Sequence, residues 1–405
     1  MPMSTSAPAG AVTEAAPSCL ERLHLRNFRN FRELRCEFPK AGAIVIGQNG
    51  AGKTNLLEAI YYLEIFRSFR GAPDRELVHF GEDVFRIEAE LSGGGEQTGL
   101  AAAFQRTGRR KKIELGGLEV ERIGDALGAF GAVIFDLDDA SLVSGAPGRR
   151  RRFLDIVLSL VVPGYLADLQ RYRAVLGQRN EALRAGREEV VDAWTEGLVG
   201  PGAGLMAARK AWISDRTAGF HQYHEVISGG PGASLAYETG LPGGVPEPAG
   251  EDPDADADRA ALVESWEDRI RLGLHAGRKR DMRRGFTTVG PHRDDLVIRA
   301  EVESGGPHRD LRAYGSGGQK RTAAIALRLV EADSLRDARG REPVYLLDDV
   351  FAELDRDRAE RVFRLLEDGR SGQVFLTAPK PADMPLRAGG LSRWRLLDGV
   401  LVKDE

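Results

Sequence analysis

"IVIGQNGAGKTNLLEA", residues 44–59, runs from a buried-looking apolar strand through a glycine-rich loop into an amphipathic segment. Gly47 to Thr54 satisfies G-x-x-x-x-G-K-[ST]. Glycines let the backbone turn its N–H groups toward phosphate oxygens, and a following helix presents its positive end to the same place. After Thr54 the apolar residues Leu57, Ile60, Tyr61 and Ile65 recur at helical spacing, so the loop joins a strand to a helix. Gly47, Gln48, Asn49, Gly50, Ala51 and Gly52 then form a phosphate cradle for ATP. Lys53 reaches the β- and γ-phosphates, and the Thr54 hydroxyl ligates Mg²⁺.

Two distant stretches extend this reading. "VYLLDDVFAELD", 344–355, sets Asp348 and Asp349 at the end of an apolar strand. There Asp348 is expected to hold Mg²⁺ through water and Asp349 to orient or deprotonate the attacking water, leaving Lys53 and Asp349 as the catalytic pair. "YGSGGQKRT", 314–322, places Ser316, Gly317, Gly318 and Gln319 before the amphipathic "AAIALRLVEADSL", a second helix start suited to phosphate. One γ-phosphate already has its cradle, so this loop suggests service to another subunit's nucleotide and an ATP-dependent homodimer. The order of the three elements is similar to the Walker A, signature, Walker B and D-loop order of ABC-type ATPases. That resemblance implies two heads closing on two ATP molecules.

Length and composition bound the rest. At 405 residues the chain exceeds one compact core, which predicts a large domain with an insertion or two domains. Its two cysteines, Cys19 and Cys36, have no metal-ligand spacing and fit a reducing, cytoplasmic interior. No apolar run approaches the ~18 to 20 residues of a membrane span, and the longest, "IVLSLVV", stops at Pro163. A net charge of -4 and a pI near 6.1 argue against a constitutively basic nucleic-acid coat protein. Residues 1–18 lack the charge and apolar pattern of a secretory or transit segment and read as a disordered extension.

From 19 to 150 short alternating segments and the glycine-rich loop predict the N-terminal part of an ATPase head. Long helical patterns from 151 to 285 predict an inserted helical arm, interrupted by "SGGPGASLAYETGLPGGVPEPAGEDPDADAD", 228–258, which reads as mobile loop. Strand-like text resumes at "TTVG", 287–290, and "DDLVIRA", 294–300, and residues 286–405 predict the C-terminal part of the head. The fold class expected is therefore α/β, an ABC-type P-loop ATPase head with an inserted helical arm.

Eight stretches carry a more specific resemblance: "LHLRNFRNF", "GQNGAGKTNLLEAIYYL", "RSFR", "LVSGAPGRRRRFLD", "LGQRNEALR", "VGPHRDDL", "YGSGGQKR" and "LLDDVFAELD". In order and spacing they resemble the RecF family of bacterial DNA replication and repair proteins, from about Leu20 to Thr377. The resemblance implies an ATP-dependent DNA-binding clamp with slow, DNA-stimulated ATPase activity. It also implies action with RecO and RecR at gaps and junctions, favouring RecA loading and the SOS response. Leu137 precedes Asp138 where family members usually carry proline, and the N-terminal extension and the acidic loop around 250–258 add to the family core.

Three basic runs, 106–112, 149–152 and 278–284, are candidates for phosphate contacts and equally for solvated faces. The arginines before "FLD" also suit a structural lead into the arm, and "GPHRDD" suits a turn tying arm to head. His292 has no nearby Cys or His partner, so no metal site is expected there. Without an aromatic platform for single strands, recognition of double-stranded or gapped DNA through its backbone is expected. Two other functions stay open on the sequence: a monomeric P-loop enzyme acting on a small substrate, and a nucleotide-stabilised adaptor.

Overall fold

The structure, a computed structural model, describes residues 19–93, 96–245, 255–301, 308–367, 372–397 and 399–404. The extension at 1–18 and most of the acidic loop lie outside them. Strands β1 (Cys19–Phe28) and β2 (Phe31–Glu37) form a hairpin, and β3 (Gly42–Ile46) leads through the glycine-rich loop into α1 (Lys53–Ile65). β4 (Val84–Gly93), β5 (Glu96–Gln105), β6 (Arg110–Leu115) and β7 (Leu118–Glu119) complete an antiparallel sheet ordered β2-β1-β4-β5-β6-β7. Alternation decides its faces: Leu23 and Leu25 turn inward, while His24 and Arg26 turn out. Phe28, Tyr62 and Phe85 meet edge to face at 5.3–6.4 Å beneath it, fixing α1 against the sheet.

A short helix, α2 (Ile123–Ala126), precedes β8 (Ala132–Asp136), after which α3 (Ala140–Ser144) and α4 (Pro147–Val161) turn the chain outward. No proline is needed at Leu137. Asp136 and Asp139 form a reciprocal capping box that closes the turn instead. The arm consists of α5 (Tyr165–Arg184), the 41-residue α6 (Glu188–Ser228), strand β9 (Ala233–Glu238) and α7 (Ala255–Arg284).

β9 corrects the expectation of a loop across 228–258. Ala233, Leu235 and Tyr237 are buried on alternate positions, a period masked in the sequence by the glycines and prolines on either side. β9 pairs antiparallel with β10 (Asp295–Ala300), which also pairs with the two-residue β11 (Arg309–Asp310). This small sheet joins segments on both sides of residue 285. "TTVG" is not a strand: Asn180 accepts the Thr287 N–H at 2.8 Å and Asp281 accepts the Thr288 N–H at 3.1 Å, so side chains take the backbone donors that a ladder would use.

After α8 (Leu311–Tyr314) comes the 23-residue α9 (Gly317–Arg339), then β12 (Val344–Asp348), α10 (Arg356–Glu367), β13 (Val374–Ala378), β14 (Ser392–Leu397) and β15 (Val400–Lys403). The second sheet, β15-β14-β3-β13-β12-β8, draws its strands from both ends of the chain. Its centre is parallel and covered on both faces, which is why β12 and β13 are apolar without alternation. The architecture is an α/β ATPase head of two sheets, with the helical arm inserted between its halves. Both cysteines are free and buried, and burial pushes the Cys36 thiol up to about 12. Among the described residues no helix is long and apolar enough to cross a membrane.

Candidate nucleotide site

The parallel sheet brings the expected residues together at the C-terminal ends of neighbouring strands. β3 delivers the loop Gly47–Thr54, β12 delivers Asp348 and Asp349, and β13 runs between them. The loop's shape depends on glycine where φ is positive. Gly52 sits at φ 108, and a Cβ there would fall 2.4 Å from the Asn30 side chain; Gly50, at φ 85, faces open space where a ligand can approach the backbone.

Lys53 is only 4 % exposed, and its ammonium donates to Gly47 O at 2.9 Å and lies 3.5 Å from Asp349 Oδ2. Two of the loop's own carbonyls, Gly47 O and Gln48 O, and the Asp349 carboxylate thus hold the cation. Burial lifts the Asp348 carboxyl above its ordinary range, opposed by hydrogen bonds from the Thr54 and Thr377 hydroxyls. The Thr54 hydroxyl and the Asp348 carboxylate are thus neighbours, and their oxygen chemistry would suit one hydrated Mg²⁺.

Asp349 occupies the left-handed region at φ 51, unusual for a residue with a Cβ and held here by Thr377. The Thr377 hydroxyl accepts the Asp349 N–H at 2.9 Å, and its single proton is shared between Asp348 Oδ1 at 2.9 Å and Asp349 Oδ1 at 3.2 Å. Sequence reasoning missed Thr377. Its signal was a lone hydroxyl residue inside the otherwise apolar "VFLTA" of β13.

Two further residues were quoted in "LRNFRNF" without a role. Asn30 donates to Ala51 O at 3.2 Å and accepts from Asn55 at 2.7 Å, gripping both ends of the loop's last turn. Arg29 makes a two-point bond to the fully buried Glu58 at 2.8 and 3.0 Å, fixing the base of α1.

A cavity of about 680 Å³ opens beside the cluster, lined by Thr54, Asp348 and Asp349 and also by Arg70, Asp136 and Arg328. Asp136 pairs in register with Asp348, and burial, Asp139 and Asp348 push its carboxyl up to about 6. Arg328, from α9, reaches across to Asp139 at 2.6 and 3.0 Å and bonds Glu331 at 2.8 Å. It connects this cavity with α9, the helix that Ser316 caps.

The Ser316–Gln319 loop lies elsewhere. Ser316 caps α9: its hydroxyl accepts the Gln319 N–H at 3.2 Å, and Gln319 Oε1 accepts the Ser316 N–H at 2.9 Å. Ser316, Gly317 and Gln319 are exposed, and Gln319 lines a different cavity, with His224 and Arg358. The structure thus groups Gly47–Thr54 with Asp348 and Asp349, and leaves Ser316–Gln319 facing outward.

"RRRR" and "GPHRDD" meet each other. Arg150 is buried against Asp295 in a two-point bond at 2.8 Å and also donates to the carbonyls of Leu142, Val143 and Gly145. Arg151 donates to Asp294 O at 2.7 Å, and Arg209 joins Pro291 O to Asp155. His292 uses both ring nitrogens: Nε2 donates to Thr287 O at 3.0 Å and Nδ1 accepts from Tyr172 at 2.7 Å. Burial lowers its pKa to about 4, so the ring is a neutral strut between arm and turn.

The family model for the RecF/RecN/SMC N terminal domain matches residues 19–386. Proteins named DNA replication and repair protein RecF are similar along nearly the whole chain. That of Kineococcus radiotolerans is 35% identical over 405 residues, covering 95% of this chain and 99% of its own, and that of Bacillus subtilis is 31% identical over 394 residues, covering 95% and 100%. Among solved structures, the recombination mediator protein RecF with ATP, described as acting in the RecFOR pathway, aligns with a TM-score of 0.81 at 29% identity, covering 98% of this chain and all of the other. An Smc head domain from Pyrococcus furiosus aligns at 0.54 with 15% identity, a likeness of fold alone. The chain belongs to the RecF family of DNA replication and repair proteins, built on the ATPase head that this family shares with SMC proteins.

Proposed function

We propose that this protein is an ATP-dependent DNA clamp of recombinational repair and replication restart in the cytoplasm. ATP binds at Gly47–Thr54 with Mg²⁺ held by Thr54 and Asp348. Two copies then close, each presenting Ser316–Gln319 to the other's nucleotide, and the closed pair holds duplex or gapped DNA. The family membership supports RecO and RecR as partners and RecA loading as the outcome. One observation carries the reading: the capped, outward-facing loop at Ser316 does not line the cavity of its own Asp348 and Asp349, yet begins the helix that Arg328 ties to that cavity.

Within the site Lys53 positions and neutralises the terminal phosphates, and bound Mg²⁺ supplies charge stabilisation there. Asp349, oriented by Thr377, accepts the proton of the attacking water. Turnover is a slow release step in this scheme. The test is DNA retention: with ATP and Mg²⁺, wild type should hold duplex and let go as ATP is hydrolysed, whereas Asp349→Asn should bind ATP and keep the duplex many times longer. Equal release from both proteins removes Asp349 from the mechanism, and no ATP effect on retention removes the clamp.

A further inference from the structure

The basic runs separate once their side chains are placed. In 149–152, Arg149 bonds Asp138, Arg150 is buried on Asp295 and Arg151 donates to a carbonyl. In 106–112, Lys111 meets Asp74, Lys112 meets Glu114 and Glu119, and Arg106 donates to Val78 O, while Arg109 and Arg110 are exposed without a carboxylate partner among the described residues. The third run leaves more of its cations free. Arg278 pairs with Glu188 and Asp192, and Asp281 is turned inward onto the fully buried Arg179. Among the described residues the ion pairs at this end of the arm stop there, leaving Lys279, Arg280, Arg283 and Arg284 exposed without a carboxylate partner.

Packing adds cations to them. Arg184, at the end of α5, lies against Gly285, and Arg293 stacks over the ring of Phe286 at 4.9 Å. Lys279 with Arg283 and Arg280 with Arg284 are i,i+4 neighbours of like charge, a repulsive arrangement on a helix. The helix macrodipole favours cations in the last turn, which accounts for Arg283 and Arg284. It does not account for Lys279 and Arg280 a turn earlier, nor for Arg293 beyond the helix. A surface of ammonium and guanidinium groups without carboxylate partners, around one part-exposed aromatic ring, lacks the apolar core of a protein interface and suits a polyanion.

We propose that this end of the arm, with Arg184, Lys279, Arg280, Arg283, Arg284 and Arg293, receives the phosphate backbone of duplex DNA, and that the arginines at 149–152 do not. The assignment rests on the clamp reading above and locates its DNA contact. Binding is sequence-independent and steeply salt-dependent, and the residues that make it are separate from those that close the pair on nucleotide.

The experiment uses the full chain and its Lys279→Gln/Arg283→Gln/Arg284→Gln variant, with a fluorescent duplex, ATP and Mg²⁺, between about 50 and 200 mM salt. The variant should lose at least about tenfold in affinity, with a salt slope flatter by about 0.9 for each phosphate contact removed. Its ATP-dependent change in mass should match wild type. Unchanged affinity and slope overturn the assignment. So does a variant that keeps the duplex but no longer binds purified RecR, which gives the patch to a protein partner. If wild type itself binds no duplex with ATP, the clamp reading fails and the assignment with it. Should the triple variant misfold, Arg284→Gln alone carries the same prediction with a slope change of about 0.9.

Discussion

The two glycine-bearing loops that start α1 and α9 are built in opposite ways. Gly47–Thr54 is knitted into its surroundings: Asn30 holds it from the neighbouring hairpin, Lys53 is buried, and Asp349 is held in a strained backbone conformation by Thr377. Ser316–Gln319 closes on itself through a capping box that takes the Ser316 and Gln319 N–H groups, and Ser316, Gly317 and Gln319 are exposed. A loop completed from within suits a ligand bound by one chain. A loop satisfied locally and left outward suits a surface that another copy completes. Folding and nucleotide binding should therefore be sensitive to the first region, and assembly to the second.

The largest effect is expected where the regions are joined. Arg328→Met leaves Asp139 and the fully buried Glu331 without their cation, and loss of one partner of a buried pair costs about 3–5 kcal/mol. Urea unfolding should show it as a lower midpoint with an unchanged slope. A loss under about 1 kcal/mol means that the two regions are not joined through this residue.

Thr377→Val, nearly isosteric, strips the Asp349 N–H and both carboxylates of their hydroxyl and should cost about 1–3 kcal/mol. ATP affinity of the monomer, measured by calorimetry, should fall as well. Retained affinity would show that Asp349 keeps its geometry unaided.

Asp136 sharpens the comparison through pH. Its folded pKa is raised to about 6, so the ionised form is disfavoured in the fold. The associated destabilisation is absent below about pH 4, where the unfolded carboxyl is also protonated, and accrues as pH rises through about 6. Without Mg²⁺, Asp136→Asn should exceed wild type in stability by about 1–2 kcal/mol at pH 8 and converge with it near pH 4. A gap that widens toward acid reverses the sign and removes the burial argument.

Ser316→Ala should be the mildest for folding, about 0.5–1 kcal/mol for a lost cap, with ATP binding to the monomer unchanged. Its ATP-dependent change in mass should nevertheless weaken. A variant that loses monomer ATP binding erases the distinction between the loops.

What the sequence made legible follows the same division. The P-loop, the Asp348–Asp349 pair and the Ser316 cap are short-range patterns, since backbone geometry ties them to a few consecutive residues. Thr377 acts from the strand beside β12 and Asn30 from a hairpin of the other sheet, and no local pattern marks a hydroxyl or amide that serves a distant loop. β9 was hidden because its buried alternation is short and framed by glycine and proline, while "TTVG" looked like a strand because its competing side chains, Asn180 and Asp281, lie on other elements. The basic runs were alike as text. Only the positions of Asp295, Glu114 and Asp192 mark Arg150, Lys112 and Arg278 as already committed.

The most direct test of the division between the loops is the solution mass by light scattering, at fixed protein concentration with Mg²⁺, for wild type with ATP, with ADP and without nucleotide. The account predicts a doubling with ATP alone. A mass that stays monomeric with ATP shown to be bound, or one that doubles regardless of nucleotide, contradicts it.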